Sequence, residues 1–419
     1  MEAGRGVRMA RLFGRLLGFE RTIIEGVEFD RSALVLRCRP ASRAASRCGV
    51  CGRRSAGYDQ GSGVREWRAL DAGSFRVVIR AVAVRVECSE HGVVAARVPW
   101  ARHGARHTLG FEDQVAWLAC ETSKSAVCEL MRTSWRTVGA ICERVLRDGQ
   151  ERFGDRLDGL SRIGVDEISF RKGQRYLTIV VCHQSGRLVW AAEGRDTKTL
   201  GRFFDALGAE RSAKITHVSA DMGSWIHKAL AAAVPHAETC IDPFHVVALA
   251  TDALDQVRRD VWNQARQAGD TQGASWLKGA RWALWKNPQH LTDLQGAKLA
   301  LIKQQNEPLY TAYLLKEQLR ETLREPDPDT AHRQLDQWIG WAEESGLAPF
   351  QRCAQTINDY HERIIATIRY RLTNARVEAV NTTLRLLVRR AYGFHSAKAM
   401  IALAMLKLGG YRPELPNTA

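Results

Sequence analysis

Hydrophobic periodicity divides the chain into four stretches. Residues 1–98 hold a short N-terminal helix candidate, a strand-like run at 32–38, a cysteine cluster and two further strands. Over residues 75–88 (FRVVIRAVAVRVEC) apolar and basic residues alternate with period two, as a half-buried strand requires. Arg76, Arg80 and Arg85 lie along this run. Residues 99–150 change to a helical period, giving three short amphipathic helices at 111–119, 123–131 and 134–146. Ser123 and Ser134 stand where N-caps belong, and only Arg132 and Thr133 separate the last two helices. Strands and helices then alternate: strands at 162–165, 176–182 and 187–191, helix 197–207, strand 214–220, helix 225–233, strand 237–241, helix 246–262. From about residue 263 the pattern is nearly all helical, with EPDPD (325–329) as the clearest break. No repeat of 20–50 residues is present.

Composition narrows the class. The 419 residues suggest two to four domains, and 45% hydrophobic residues with 12 Trp can bury large cores, which excludes global disorder. No run approaches the ~18 apolar residues of a membrane-spanning helix. The apolar stretch 12–19 is broken by Arg15 and preceded by Arg8 and Arg11, too short and too charged for a signal peptide. A soluble cytoplasmic protein with no membrane partner is therefore expected. The net charge of +15 is spread along the chain and points to a polyanion, nucleic acid first. Ten cysteines are too sparse for a disulfide scaffold, and only the first four cluster.

Two short ligand pairs occur in that cluster: Cys48 and Cys51 in RCGVCG, and Cys88 and His91 in ECSEHG, 37 residues after Cys51. Brought together, they would complete a closed tetrahedral Cys3His site for a structural Zn2+, with Gly49, Gly52 and Gly92 easing the turns. Cys38 is a substitute ligand without a near partner. The alternative is four reduced side chains packed in a small β domain. The helices that follow resemble a helix-turn-helix, whose last helix would enter the major groove while Arg132, Arg136, Arg144 and Arg147 contact phosphates. An ordinary helical linker with a basic face is the competing reading.

The β-β-β-α-β-α-β order fits the ribonuclease H-like fold and several other α/β domains. Carboxylates narrow the choice. Asp166 ends the first strand of this region and Asp221 the fourth, neighbours in a ribonuclease H-like sheet, while Glu378 lies far downstream on a helix. Three converging carboxylates repel unless cations neutralise them, and two Mg2+ (or Mn2+) ions would also hold attacking and leaving oxygens in line. Singly, each acid also reads as a turn residue, a helix cap or a solvated charge. Glu167 is expected on the opposite side of its strand, without a role. Asp242 reads as an N-cap with Pro243 at the first helical position, and His245 as a phosphate or proton contact at most.

With these residues in view, VDEISFRKGQRYLTIVV, SADMGSW, DPFHVV and TNARVEAVNTTLRLLVRRAYGF resemble DDE transposases of bacterial insertion sequences, specifically the ISL-three group. The resemblance runs from about residue 10 to 411. Its most specific piece is Asn374, Val377, Glu378 and Asn381, followed by Arg389, Arg390 and Gly393. It implies that Asp166, Asp221 and Glu378 are the catalytic, Mg2+-binding acids and that Cys48, Cys51, Cys88 and His91 bind zinc. Relatives commonly carry cysteine where this chain has His91. The 55 residues from Asp166 to Asp221 and 157 from Asp221 to Glu378 imply an insertion between the last two acids. Trp276, Trp282, Trp285, Trp338 and Trp341 fall there and read as helical core before DNA wedges. Arg385, Arg389 and Arg390 are placed to hold phosphates near the cut.

The expected architecture is thus an α/β ribonuclease H-like catalytic core interrupted by an all-α insertion, preceded by a small zinc-binding β domain and a helix-turn-helix domain. Boundaries fall at 1–98 (zinc), 99–155 (helix-turn-helix), 156–262 (core, first part), 263–355 (insertion) and 356–419 (core, C-terminal helices). The expected activity is binding of terminal inverted repeats, cleavage of the ends and transfer of 3′-hydroxyl strands to target DNA, with at least a homodimer on double-stranded DNA. The rivals are a metal-dependent nuclease on the same fold and a DNA-binding regulator with a decayed core.

Overall fold

The computed structural model describes residues 12–15, 18–30, 33–171, 173–394 and 396–415. The N-terminal helix candidate lies partly outside these residues, and Arg8 and Arg11 wholly so. Residues up to Asp155 together with those from Arg389 onward make one compact unit, and Arg156–Val388 make a second. The sequence pattern kept 356–419 in one segment; contacts divide it at Arg389.

The first unit begins with β1 (Thr22–Asp30), β2 (Ala33–Pro40), β3 (Ala56–Asp59), β4 (Val64–Arg68), β5 (Arg76–Val82), β6 (Arg85–Cys88) and β7 (Gly92–Ala95). They form two sheets, ordered β1-β2-β5-β4 and β3-β6-β7. The single strand expected over 75–88 is therefore two strands in different sheets. Its break lies at Ala83, whose N–H donates to Gly63, and Val84, whose carbonyl accepts from Ala96. The alternation continues through this corner, so periodicity alone could not show it. Leu34, Leu36, Val77 and Ile79 form the core of the larger sheet with Trp67 and Trp100, whose rings meet edge to face at 5.6 Å.

Three helices follow: α1 (Leu109–Glu121), α2 (Lys124–Leu130) and α3 (Trp135–Phe153). Each starts at a hydroxyl cap, as expected for two of them. Thr108 accepts from the Phe111 N–H, Ser123 from Ala126 and Ser134 from Thr137. Arg132, in the short link before α3, has φ 49°, the left-handed bend that turns α2 into α3.

In the second unit β8 (Arg162–Arg171), β9 (Arg175–Cys182), β10 (Leu188–Glu193), β11 (His217–Ala220) and β12 (Glu238–Ile241) form one sheet ordered β10-β9-β8-β11-β12. β8, β11 and β12 run parallel, and β9 is antiparallel to both its neighbours. Helices α4 (Thr197–Leu207), α5 (Ala209–Ser212), α6 (Ser224–Ala233) and α7 (Pro243–Gln267) punctuate the later strands. α4 turns Leu200, Phe203, Phe204 and Leu207 onto Val165, Val180, Val189 and Val218 of the sheet, the apolar stripe its 3.6-residue period predicts.

After β12 the described chain is helical: α8 (Thr271–Gly279), α9 (Arg281–Trp285), α10 (Asp293–Gln305), α11 (Glu307–Thr322), α12 (Pro328–Glu344), α13 (Ala348–Asp359), α14 (His361–Tyr370), α15 (Ala375–Arg390) and α16 (Ala397–Leu408), with one 3-10 turn at Pro288–His290. Trp338 is buried at the centre of their core, its Nε1–H donating to the Leu315 carbonyl at 2.7 Å. Trp276 and Trp285 pack against the same core, whereas Trp282 is 58% exposed. Helix α16 packs on α3 within the first unit.

Candidate functional site

Strand register brings three acids level with one another. Ser219 of β11 pairs with Gly164 of β8, so Asp221 falls two residues on, level with Asp166. Ala220 pairs with Ile241 of β12, so Asp242 falls beside Asp221. Asp166 is not at the end of its strand, as expected, but in its middle: β8 runs on to Arg171, paired there with β9 alone. It sits where the parallel neighbour stops, and that termination exposes the carboxylate edge.

Glu378 reaches this edge on α15, and three contacts seat that helix. Asn374 Oδ1 accepts from the Ser219 hydroxyl. Val377 lies over Gly164, where an added Cβ would come within 2.3 Å of the Val377 Cγ2. One turn later Asn381 Nδ2 donates to Asp166 Oδ2 at 2.6 Å. Arg376 adds hydrogen bonds to the carbonyls of His183 and Gln184. Burial, then Arg376, drives His183 down to about 4, so its ring is neutral where Nε2 meets Ser219 Oγ at 2.7 Å. The Asn-x-x-Val-Glu-x-x-Asn pattern thus has a physical reading: its flanking positions dock the helix, and Glu378 stays exposed.

The loop after β11 is equally constrained. Asp221 Oδ1 accepts from the Gly223 N–H at 2.8 Å, His227 meets the Asp221 carbonyl at 2.9 Å, and the Tyr360 hydroxyl donates to Met222 at 2.8 Å.

Electrostatically the edge is only partly compensated: Arg195 pairs with Glu167 at 2.6 Å, and Arg385 and His245 act on Asp166, yet burial still raises the acids. Burial pushes the Asp166 carboxyl up to about 6, with Asp221 adding and the Glu167 N–H opposing. Burial and Asp221 push Glu167 up to about 7, against the pull of Arg195. Glu167, expected to face away without a role, is half-buried, pairs with Arg195 at 2.6 Å and feels the field of Asp221. Asp242 caps α7, accepting from the Phe244 N–H at 3.4 Å with Pro243 next, as its pattern predicted. Burial raises its carboxyl too, with Glu378 adding and His245 opposing. His245 lies 3.9 Å from Asp242 Oδ2 and also lowers Asp166 and Glu167. Among the described residues, Glu167 Oε2 and Asp242 Oδ2 are buried carboxylate oxygens that receive no hydrogen bond. Hard oxygen donors, two of them without a hydrogen bond, fit a divalent metal such as Mg2+. Asp166, Asp221 and Glu378 do not themselves form a group whose ligand atoms all lie within 4.8 Å.

The other cluster is closed. Cys48, Cys51, Cys88 and His91 bring their ligand atoms within 4.8 Å of one another. Cys51 Sγ is 3.7 Å from Cys88 Sγ, and His91 Nδ1 is 3.9 Å from Cys48 Sγ and 3.7 Å from Cys88 Sγ. Tetrahedral zinc with its usual bond lengths separates ligands by about 3.3–3.8 Å, so the four side chains fit Zn2+. Gly52 (φ 72°) and Gly92 (φ 64°) take the left-handed turns of the two knuckles. Gly49 serves differently: a Cβ there would meet the Ala95 carbonyl at 2.4 Å. The Cys88 thiol is pulled down to about 6 by the Glu90 N–H and then by His91, which favours the thiolate a metal needs. Cys38 is buried in the neighbouring core and takes no part.

Of the arginines assigned to DNA, Arg136 and Arg147 are exposed on α3. Arg144 is not free: it pairs with the fully buried Glu112 at 2.5 Å, joined there by Arg102. Arg132 pairs with Asp71. Beyond Glu378, Arg385 and Arg389 are exposed, whereas Arg390 donates to the Glu121 carbonyl at the end of α1.

Three family models match in chain order. One described as zinc-finger of transposase IS204/IS1001/IS1096/IS1165 covers residues 44–91, the helix-turn-helix domain of transposase family ISL3 covers 96–146, and an ISL3 model described as transposase covers 163–404. Among curated proteins, the chain is 49% identical to the transposase for insertion sequence element IS1557 in two strains of Mycobacterium tuberculosis, over 98% of both chains. It is 30% identical to the IS1001 transposase of Bordetella parapertussis, over 92% of this chain and 94% of that one.

Proposed function

The chain belongs to the ISL3 family of insertion-sequence transposases, and from that premise we propose how its residues divide the work. Asp166, Asp221 and Glu378 are the catalytic acids on a ribonuclease H-like core, in which only β9 opposes the other strands and α8–α13 make up most of an insertion over 263–355. Mg2+ or Mn2+, held by these carboxylates, would supply activation of the attacking oxygen and charge neutralisation at phosphorus. Asn381 orients Asp166 by donating to one oxygen and leaving the other to its own backbone neighbour. Cys48, Cys51, Cys88 and His91 hold a structural Zn2+ that organises the small sheets. Helix α3 reads the element's terminal repeats, with Arg136 and Arg147 on phosphates, and Arg385 and Arg389 steady the backbone near the cut. Two ends brought together imply at least a dimer on DNA.

The observation that carries this reading is the register: Asp166 and Asp221 are level on adjacent parallel strands, and the helix bearing Glu378 is docked on both strands by Asn374, Val377 and Asn381. We expect Asp166→Asn, Asp221→Asn and Glu378→Gln each to abolish cleavage of end DNA in Mg2+ while binding survives. Full cleavage by any of the three would overturn the assignment. Joining of pre-nicked ends to a target separates a transposase from a nuclease on the same fold.

A further inference from the structure

The helices of the second unit carry another set of metal-ligating side chains, outside every motif above. His332 and Asp336 are four residues apart on α12, which puts them on one helix face. His361 is the first residue of α14 and Glu362 the second. His332 Nδ1 lies 3.1 Å from Asp336 Oδ2, and His361 Nε2 lies 3.0 Å from Asp336 Oδ1. The ligand atoms of these three residues all fall within 4.8 Å of one another.

A carboxylate also stands behind the two rings, within hydrogen-bond reach of His361 alone. Glu362 Oε1 is 3.3 Å from His361 Nδ1 and 3.6 Å from His332 Nε2. A carboxylate behind a histidine holds a proton on the far nitrogen and leaves the near one with its lone pair, the arrangement found behind metal-bound imidazoles. A plain ion-paired cluster leaves one fact unexplained. His361 Nε2 is buried and makes no aligned hydrogen bond, although Asp336 is 3.0 Å away. A lone pair aimed beside a carboxylate oxygen, and not an N–H aimed at it, gives that geometry.

We propose that His332 Nδ1, His361 Nε2 and an Asp336 oxygen bind a divalent ion of borderline softness, Zn2+ above all, with Glu362 orienting the His361 ring and water completing the tetrahedron. Two imidazoles select against Mg2+ and Ca2+ and leave zinc as the abundant ion that suits N2O donors. The ion staples α12 to the start of α14. That junction is two steps from the acids: Tyr360, just before His361, holds the Met222 carbonyl beside Asp221, and Thr367 of α14 donates to Ile241 beside Asp242. The site therefore braces the strand ends from behind and touches no reacting atom.

The test needs no DNA, so it fails or succeeds independently of the transposase assignment. The full-length chain is stripped of metal under reducing conditions and titrated with Zn2+ in excess Mg2+, which fills oxygen-only sites. Wild type should take up one equivalent more than His332→Ala, whose half-buried side chain lies outside the apolar core. Glu362→Gln should keep that equivalent but bind it about 10–100-fold more weakly. With Co2+ as probe, the thiolate charge-transfer band of the cysteine site should be the same in wild type and H332A, which shows that the variant is folded. Equal Zn2+ uptake by wild type and H332A, with that band intact, would overturn the proposal.

Discussion

Asp166 stands in the fold with its carboxyl near 6 against an ordinary 3.8, chiefly because it is buried. A raised pKa means the folded state holds this proton more tightly than the unfolded chain does. In metal-free protein its contribution is therefore fully present below about pH 4 and is lost as pH rises through 6. Asp166→Asn keeps the shape and removes the ionisation. At pH 8 without divalent ions it should stabilise the Arg156–Val388 unit by about 1–3 kcal/mol, and at pH 4 by nothing. Urea midpoints measured across that range check it, and a pH-independent difference would contradict it. Gly164 makes a second residue-level case. Gly164→Ala pushes a methyl to 2.3 Å from Val377 and to 3.0 Å from His183 and Ser219, so the cost is about 1–3 kcal/mol and a displaced α15. Cleavage should fall sharply while zinc content and end binding stay at wild-type levels. The zinc ligands were legible because knuckles are local patterns, whereas Asp166 read as a strand end and lies mid-strand, since β8 runs on beside β9 after β11 stops. The pairing of Glu167 with Arg195 was not legible, since the two residues lie far apart in the sequence.

Among the elements, α3 separates two kinds of arginine that the sequence presents alike. Arg144 neutralises Glu112, whose side chain is fully buried and whose carboxyl burial raises. Removing one partner of such a pair strands the other charge and typically costs about 3–5 kcal/mol. Arg144→Ala should therefore lower the melting temperature of the helical segment and lose DNA binding only as a consequence. Arg136→Ala and Arg147→Ala should leave the melt unchanged, weaken binding to all sequences, and each reduce the slope of log affinity against log salt by about 1. Thermal melts paired with binding at several salt concentrations decide it; a normal melt for R144A would refute the structural role. The helix starts and two of the three caps were readable from Ser123 and Ser134, whereas the last helix, expected to end at 146, runs on to Phe153. The partner of Arg144 was not, because Glu112 lies 32 residues away across a helix packing that no local period encodes. The same holds for residues 75–88, where one unbroken alternation serves two sheets.

Taken as one molecule, a chain of +15 carries an edge of carboxylates at which burial raises Asp166, Glu167 and Asp242. These two electrostatic features respond to different ions. Attraction of the basic helices for the DNA backbone comes from counterion release, so affinity should fall with a log–log slope of about −0.9 per phosphate contacted. Monovalent salt should do little to the acid edge beyond screening, because partly buried charges are screened far less than exposed ones. Cleavage should instead rise from zero with added Mg2+ or Mn2+ at fixed monovalent salt, with end binding already saturated. Glu378→Gln should leave the salt slope of binding intact and flatten the divalent response, since Glu378 is exposed on the acid edge and is not one of the arginines proposed to hold phosphates. Loss of both responses together in that variant would mean that the acids support the DNA-binding fold and do not perform the cut.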